Sequence, residues 1–437
     1  MTKVTFLGGC RQVGASAILV EQAGARVVMD YGTAFNGTQR VPLPTSTRNL
    51  TSALSHAHLD HSGSLPFITG SQTHRVPMYS TKLTKELARL LLADMLRING
   101  DSLAFERKEV QTLLQNTHTL NYGEPIQVHP KVKLTLYDAG HIPGSASILV
   151  ETEANGGGAA RILYTGDLNT TNTRLVNGAS HPHRYGELDL VITESTYARE
   201  NHPPRREVED TFIETSRSTL ESGGTVLVPS FAVGRAQEIL TVLDQHHHRG
   251  LDYPIFVDGM ARKVTRIMQQ HTKSFNGGFN LNRAARQASF IQNNSDRKAA
   301  LDEPAVIIAP AGMLKGGTAQ LYLRRIAGDS NSSVLLVGKQ LPGTPGADLL
   351  ESGGITLDAY HGTPTRHQVK AKVASFDFSC HVGRQEVLNY LKQVQGNPTI
   401  LTMHGEAASC ENLAQTLQSR FGFTAQAATC GQTYSFN

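Results

Sequence analysis

The stretch Leu54-Ser-His-Ala-His-Leu-Asp-His-Ser-Gly63 decides the reading of this chain. It sets His56, His58, Asp60 and His61 side by side. Packing does not explain such density, because each ring and carboxylate would have to be desolvated or left without a partner. Nitrogen and oxygen donors at this concentration suit a borderline cation such as zinc. At the end of an extended strand His56 and His58 point to the same side and can grip one ion. Asp60 and His61, on the turn that follows, can reach a second. The bland alternative is a solvated histidine-rich loop. The rest of the chain argues against it by supplying partners of the right chemical types.

Composition sets wide bounds. At 437 residues the chain is too long for one simple core, so two domains or one domain with a large insertion are expected. Hydrophobic content of 39% with 18% charged residues is ordinary for a soluble globular protein. The formal charge of +4 permits a polyanionic substrate without demanding one. The 18 histidines say more than the charge. Cys10, Cys380, Cys410 and Cys430 show no CxxC spacing, which argues against a cysteine zinc site. No signal peptide or membrane span is read, so a reducing compartment and a cytoplasmic location are expected.

The opening is β-rich, with short strands over 3–9, 17–21 and 25–30 rather than a βαβ unit. Asp30 closes an apolar strand, either as a plain turn residue or as a carboxylate that holds a neighbouring histidine. Helices are expected over 84–96, with a threonine cap, and over 106–115. A strand over 133–137 delivers His141 on its end loop. Strands over 147–151 and 161–165 form a hairpin around a Gly-rich tip at 155–159 and end in Thr165-Gly-Asp167. A carboxylate there, beside Gly, can bridge two cations or can simply mark a turn. A strand over 188–193 ends in Glu194.

Near residue 200 the pattern changes. Strands over 225–229, 255–257, 306–309 and 334–337 alternate with helices over 207–220, 235–246, 261–269 and 321–326. Such alternation predicts a parallel sheet covered on both faces. After about 366 the first pattern returns, with a strand over 373–378 before Ser379-Cys-His381 and one over 399–403 before His404. Domain limits of 1–199, 200–365 and 366–437 follow, the outer two forming one domain.

The donors sort into two sets. His56, His58 and His141 serve one metal, Asp60, His61 and His404 the other, and Asp167 bridges them. Two cations roughly 3.5–4 Å apart can hold a bridging hydroxide at neutral pH. Glu194 and His381 stand outside this set. A glutamate can orient a ligand histidine, and a spare histidine can meet a developing oxyanion or protonate a leaving oxygen. Their alternatives are a strand-end acid and a solvated histidine.

The His-Ala-His-Leu-Asp-His run, His141, Thr-Gly-Asp167 and the strand order resemble the metallo-β-lactamase superfamily. Glu194-Ser-Thr-Tyr, Pro229-Ser-Phe-Ala-Val-Gly-Arg-Ala-Gln-Glu, Pro310-Ala-Gly-Met-Leu-Lys-Gly-Gly, Ser379-Cys-His and Met403-His-Gly-Glu resemble its β-CASP branch. That branch contains the nuclease subunit of the cleavage and polyadenylation factor, its archaeal relatives and ribonuclease J. The likeness covers nearly the whole chain. It implies an α/β fold of αββα sandwich type interrupted by a β-CASP domain. It matches Glu194, His381 and His404 to the family's motifs A, B and C, with His381 against the scissile phosphate. Histidine at motif C implies RNA rather than DNA as substrate. The loop at 312–317 is closer to the cleavage-factor type than to ribonuclease J. The chain departs from the pattern after motif B, where Val382-Gly383 replaces the usual Ala-Asp, which puts the orientation of His381 in question.

On this reading the chain is a zinc-dependent ribonuclease with two Zn2+, manganese remaining open, and with catalytic Asp60, Asp167, Glu194, His381 and His404. Products with a 5′-phosphate and a 3′-hydroxyl are implied, by endonucleolytic cleavage, 5′-to-3′ trimming or both. RNA contacts are expected at Ser230, Gly234, Arg235, Gly312, Met313, Lys315, Gly316, Gly317 and Ser379, with Arg262 weaker. The rationale is that backbone amides at the Gly234–Arg235 helix start and in the 312–317 loop can hold phosphates. A homodimer is implied by the family. The rival readings are a hydrolase of small esters or thioesters on the same core and a non-catalytic RNA-binding partner.

Overall fold

The computed structural model describes residues 1–34, 39–69, 75–153, 159–247, 252–357 and 365–436. The chain divides into two units. The first comprises Met1–Asn172, Asn177–Asn201 and Cys380–Asn437, the second Thr173–Val176 and His202–Ser379.

The first unit is built on two seven-stranded sheets. One runs in the order Thr433–Phe436, Thr2–Gly8, Ala17–Gln22, Ala25–Met29, Leu50–Ala53, Met78–Ser80, Thr117–Thr119. The other runs Ala425–Ala427, Thr399–Met403, Leu190–Glu194, Ala159–Tyr164, Ala146–Glu153, Val132–Asp138, Ile126–His129. Period-2 alternation puts Val4, Phe6, Ile18, Val20, Val27 and Met29 of the first into one core with Leu134, Leu136, Ile148, Val150, Ile162 and Tyr164 of the second. Each fully buried large aliphatic there contributes about 1.5–3 kcal/mol. The opposite face of the second sheet packs Leu163, Val191 and Ile400 against Val387 and Leu391 of helix Arg384–Leu391 and Leu413 and Leu417 of helix Ala407–Phe421. Helix Lys82–Asn99 buries Leu83, Leu87, Leu91 and Leu92 at helical spacing. It begins two residues before the expected start, because Thr81 rather than Thr84 is the cap and accepts from the Thr84 amide at 3.2 Å. Of the tip expected at 155–159, residues 155–158 lie outside the described residues.

Three parallel neighbours set up the functional edge. Ala159–Tyr164 pairs with Leu190–Glu194, which pairs with Thr399–Met403, with Glu194 opposite Met403. The loops carrying Asp167 and His404, and Glu194 itself, therefore end on the same side.

The second unit holds a six-stranded, all-parallel sheet in the order Ser289–Phe290, Ile255–Val257, Val306–Ala309, Val226–Pro229, Ser333–Leu336, Lys372–Ser375. Its central strands are buried along their whole length, as their uninterrupted apolar runs predict. One expectation shifts here. The strand expected over 373–378 is shorter and pairs with Ser333–Leu336, so it closes the second unit's sheet instead of opening the returning first pattern. By contacts the second unit runs to Ser379. As an edge strand it is exposed at both ends and only half-buried between them, without the buried apolar run of the central strands, which hides its parentage in the sequence. Among the described residues no helix is long and apolar enough to cross a membrane.

Candidate metal centre

The donor residues are fixed from behind before they meet. Strand Leu50–Ala53 ends just before His56, and the short helix Leu59–Ser62 carries Asp60 and His61. Asp30 follows strand Ala25–Met29 in the left-handed region at φ 56°, where aspartate is among the few side chains tolerated. Its carboxylate accepts from the Ser55 amide at 2.7 Å, the Ser55 hydroxyl at 2.7 Å and the Tyr164 hydroxyl at 2.9 Å. It also lies 2.7 Å from His61 Nδ1. Of its two sequence readings, Asp30 therefore takes that of a carboxylate holding a histidine. His404 Nδ1 lies 2.7 Å from the Ser16 hydroxyl, and its amide donates to the Gly9 carbonyl at 2.7 Å. His141 Nδ1 donates to the Cys380 carbonyl at 2.7 Å. Each of these rings thus has one nitrogen anchored and the other turned inward, the arrangement that orients metal ligands.

Inward, two donor sets share Asp167. In the first, His58 Nδ1 is 3.2 Å from both His56 Nε2 and His141 Nε2. Asp167 Oδ2 is 3.5 and 3.7 Å from those two Nε2 atoms. Ligands on a tetrahedral zinc with bonds of about 2.0–2.1 Å would sit roughly 3.3 Å apart. In the second, Asp167 Oδ1 is 3.1 Å from His61 Nε2 and 3.5 Å from His404 Nε2, and Asp60 Oδ2 is 3.8 Å from His404 Nε2. The candidate ligand atoms of each set lie within 4.8 Å of one another. His61 Nε2, Asp167 Oδ1 and His404 Nε2 are buried without a hydrogen-bond partner. Leaving three such atoms desolvated is costly unless a cation takes them, and their chemistry fits one.

The electrostatics agree. Burial and then the neighbouring His61 hold His56 well below the ordinary histidine range, and burial and then His381 do the same for His141. Both rings stay neutral, the form that binds metals. Burial works to raise Asp167, but His61, His404, His381 and His56 outweigh it and keep the carboxylate ionised. Burial likewise opposes charge on His61, while Asp167, Asp30 and Asp60 favour it and win. Without a cation, a proton on His61 balances the acids, so protons and metal compete for this place.

A third group joins Asp167, Glu194 and His381. Both Glu194 oxygens lie 3.0 Å from His381 Nδ1, and Oε1 also accepts from the Leu168 amide at 2.6 Å. Glu194 thus orients His381. The same contact answers the question raised by Val382-Gly383: the carboxylate that fixes His381 comes from strand Leu190–Glu194. Val382 is buried, and the Gly383 amide donates to Glu386 at 2.8 Å. Burial would lower the His381 pKa, but Glu194 and Asp167 raise it to about 9. Its side chain is 21% exposed, against 0–4% for His56, His61, His141 and His404, so it is the protonated group within reach of solvent.

The residues expected to meet RNA all lie in the second unit. Part of the helix start there is satisfied from within the chain. The Gly234 amide donates to Gln237 Oε1 at 2.9 Å, so it is not available to a phosphate as expected, and the Ala236 amide donates to the Phe231 carbonyl at 3.1 Å. What is left over is side-chain: Ser230 Oγ and Arg235 Nε and Nη1 are buried with no partner. In the 312–317 loop the Leu314 amide bonds Ala311, while Gly312 and Met313 carbonyls accept from Gln340 Nε2 and the Gly346 amide. Gly316 and Gly317 adopt φ 73° and 75°, and Lys315 is exposed. The Ser379 amide donates to Asp377 at 3.1 Å. Arg262 Nη1 donates to the Ile291 carbonyl and the Gln292 side chain, so it acts as an internal tie. Sequence reasoning missed Ser16, Tyr164 and the Cys380 carbonyl. Nothing in their local pattern marks them, because each acts across a long separation in the chain.

Comparison with known proteins follows this geometry. Residues 19–196 match a metallo-beta-lactamase superfamily domain, residues 236–349 a Beta-Casp domain, and residues 366–428 a Zn-dependent metallo-hydrolase RNA specificity domain. The chain is 36% identical to "RNase aCSPSF2" of Saccharolobus solfataricus, covering 98% of this chain and 84% of that protein. It is 34% identical to "Transcription termination factor FttA" of Thermococcus kodakarensis, covering 97% and 70%. A crystal structure of a protein of unknown function from Enterococcus faecalis V583 superposes with a TM-score of 0.57 at 13% identity over 99% of each chain, a likeness of fold. The chain belongs to the β-CASP family of the metallo-β-lactamase superfamily.

Proposed function

We propose that this protein is a metal-dependent ribonuclease that hydrolyses RNA phosphodiesters, endonucleolytically and by 5′-to-3′ trimming. The observation that carries the reading is the pair of donor sets sharing Asp167, with His381 held protonated by Glu194 beside them. His56, His58 and His141 would hold one Zn2+ and Asp60, His61 and His404 a second, with Asp167 common to both; manganese would satisfy the same donors. Bound cations would supply charge neutralisation at the phosphate and a lowered pKa for the attacking water. The chain's own residues do the rest. Glu194 keeps the Nδ1 side of His381 occupied, which leaves Nε2 to carry a proton toward the leaving oxygen or to meet the developing oxyanion. Asp30, Ser16 and the Cys380 carbonyl keep the donor rings from turning. Ser230, Arg235 and Lys315 in the second unit would take phosphates of the strand. The name and sequence of the Saccharolobus relative support RNA as substrate. A homodimer in the cytoplasm belongs to the same proposal and is tested by light scattering and fractionation.

The test uses one internally labelled RNA with either a 5′-monophosphate or a 5′-hydroxyl, incubated with wild-type protein and His404→Ala, alongside measurement of bound metal. Discrete internal fragments from both RNAs mark an endonuclease, and phosphate-dependent release of mononucleotides marks trimming. Equal cleavage by His404→Ala, or hydrolysis of a thioester with RNA left intact, would overturn the proposal.

A further inference from the structure

Phe231 stands out in the second unit. It follows strand Val226–Pro229 by two residues, and 42% of its surface is open to solvent, unusual for a large apolar ring that is also held in place. The clamp is made by glycines. A Cβ at Gly338 would lie 3.2 Å from the ring, and one at Gly312 would lie 3.4 Å from the ring and 3.0 Å from the Phe231 nitrogen. Neither glycine has a positive φ, so the backbone does not require glycine there; the room the ring occupies does. Gly312 follows strand Val306–Ala309 and Gly338 follows Ser333–Leu336, the two strands that flank Val226–Pro229 in the sheet. The ring is thus seated at the middle of the sheet's carboxyl edge, the edge where open α/β sheets take ligands. Close by in the chain, Ser230 Oγ and the Arg235 guanidinium Nε and Nη1 are at least nine-tenths buried and lack a hydrogen-bond partner, although the Arg235 charge is felt by Asp377. An apolar ring beside unsatisfied hydroxyl and guanidinium donors matches one repeating chemistry, a base next to a phosphate.

We infer that Phe231 is a stacking platform for one nucleobase of a single-stranded RNA, with Ser230 and Arg235 taking the adjoining phosphate. The inference rests on the ribonuclease reading and adds the residue that grips the strand. Stacking is tolerant of sequence because every base has a π-face, so Phe231 positions the strand without choosing its letters. Phe231 acts through the strand and does not touch the reacting atoms.

The experiment compares Phe231→Ala, Phe231→Leu and Phe231→Trp in the full-length metal-loaded protein. RNA oligonucleotides carry 2-aminopurine at one position at a time, and KM and kcat are measured on the same oligonucleotides. Wild type and Phe231→Trp are expected to quench one 2-aminopurine position. Phe231→Ala is expected to abolish that quench and raise KM by roughly five- to a hundredfold, with a smaller change in kcat. Phe231→Leu should behave like Phe231→Ala. An unchanged KM and quench in Phe231→Ala, or full function in Phe231→Leu, overturns the inference while leaving the ribonuclease reading intact. A protein docked on the same ring would give that result. A wild type that neither binds nor cleaves RNA overturns the reading and the inference together. Should Phe231→Ala fail to fold, the contrast between leucine and tryptophan decides.

Discussion

The two units treat buried polar groups in opposite ways. In the first, nearly every inward donor is fixed from behind, His61 by Asp30, His404 by Ser16, His141 by the Cys380 carbonyl and His381 by Glu194. In the second, Gln237 accepts from the Gly234 amide ahead of the helix, while the side chains of Ser230 and Arg235 carry the unmet demand. A reactive centre needs its groups held to a fraction of an ångström. The unmet donors of the second suit the strand contacts proposed for it.

The comparison breaks first at Asp167. Because it is common to both donor sets, Asp167→Ala is expected to remove bound metal and lower RNA cleavage by at least about a thousandfold, consistent with loss of several kcal/mol of charge stabilisation. Elemental analysis beside single-turnover rates checks it, and metal retained at full stoichiometry would contradict the shared role. Next comes Glu194→Gln, expected to slow cleavage about a hundredfold. It also gives a pH signature. The His381 pKa is raised to about 9 by Glu194 and Asp167, so the protonated ring is present below that pH and lost as pH rises through it. Removing the Glu194 charge should move the alkaline limb of kcat to lower pH, whereas a purely structural role would leave the limb where it is. Asp30→Asn is expected to weaken metal binding by roughly ten- to a hundredfold, read by competition with a chelator. The smallest catalytic effect is expected in the second unit. Gln237→Ala deletes a buried side chain that bonds Gly234, Ala232, Ala261 and Thr265, and should lower stability by about 1–3 kcal/mol with little change in kcat. A large drop in kcat there would show that the helix start serves more than folding.

What the sequence made legible follows from range. His56, His58, Asp60 and His61 declare themselves because their density has no packing explanation, and Asp167, Glu194 and His404 because each ends an apolar strand. The all-parallel sheet is readable from its uninterrupted apolar strands. Strand Lys372–Ser375 is not, since a half-exposed edge strand lacks the uninterrupted apolar run of the central strands. Ser16 was invisible for another reason. A serine in a glycine-rich turn carries no mark of a histidine 388 residues later. Free amides at the helix start were wrongly expected at Gly234 because Gln237 looks, in sequence, like an ordinary surface residue, whereas it is fully buried.

One feature of the first unit bears on how the molecule is made. Its first strand, Thr2–Gly8, finds a neighbour in Thr433–Phe436, and His404 arrives after the whole of the second unit. A ribosome therefore releases His56, His58 and His141 before the second unit and His404 only after it. Until then the growing polypeptide carries one donor set and lacks the other. An enzyme proposed to cut RNA therefore completes its second donor set only after the whole of its second unit has been made.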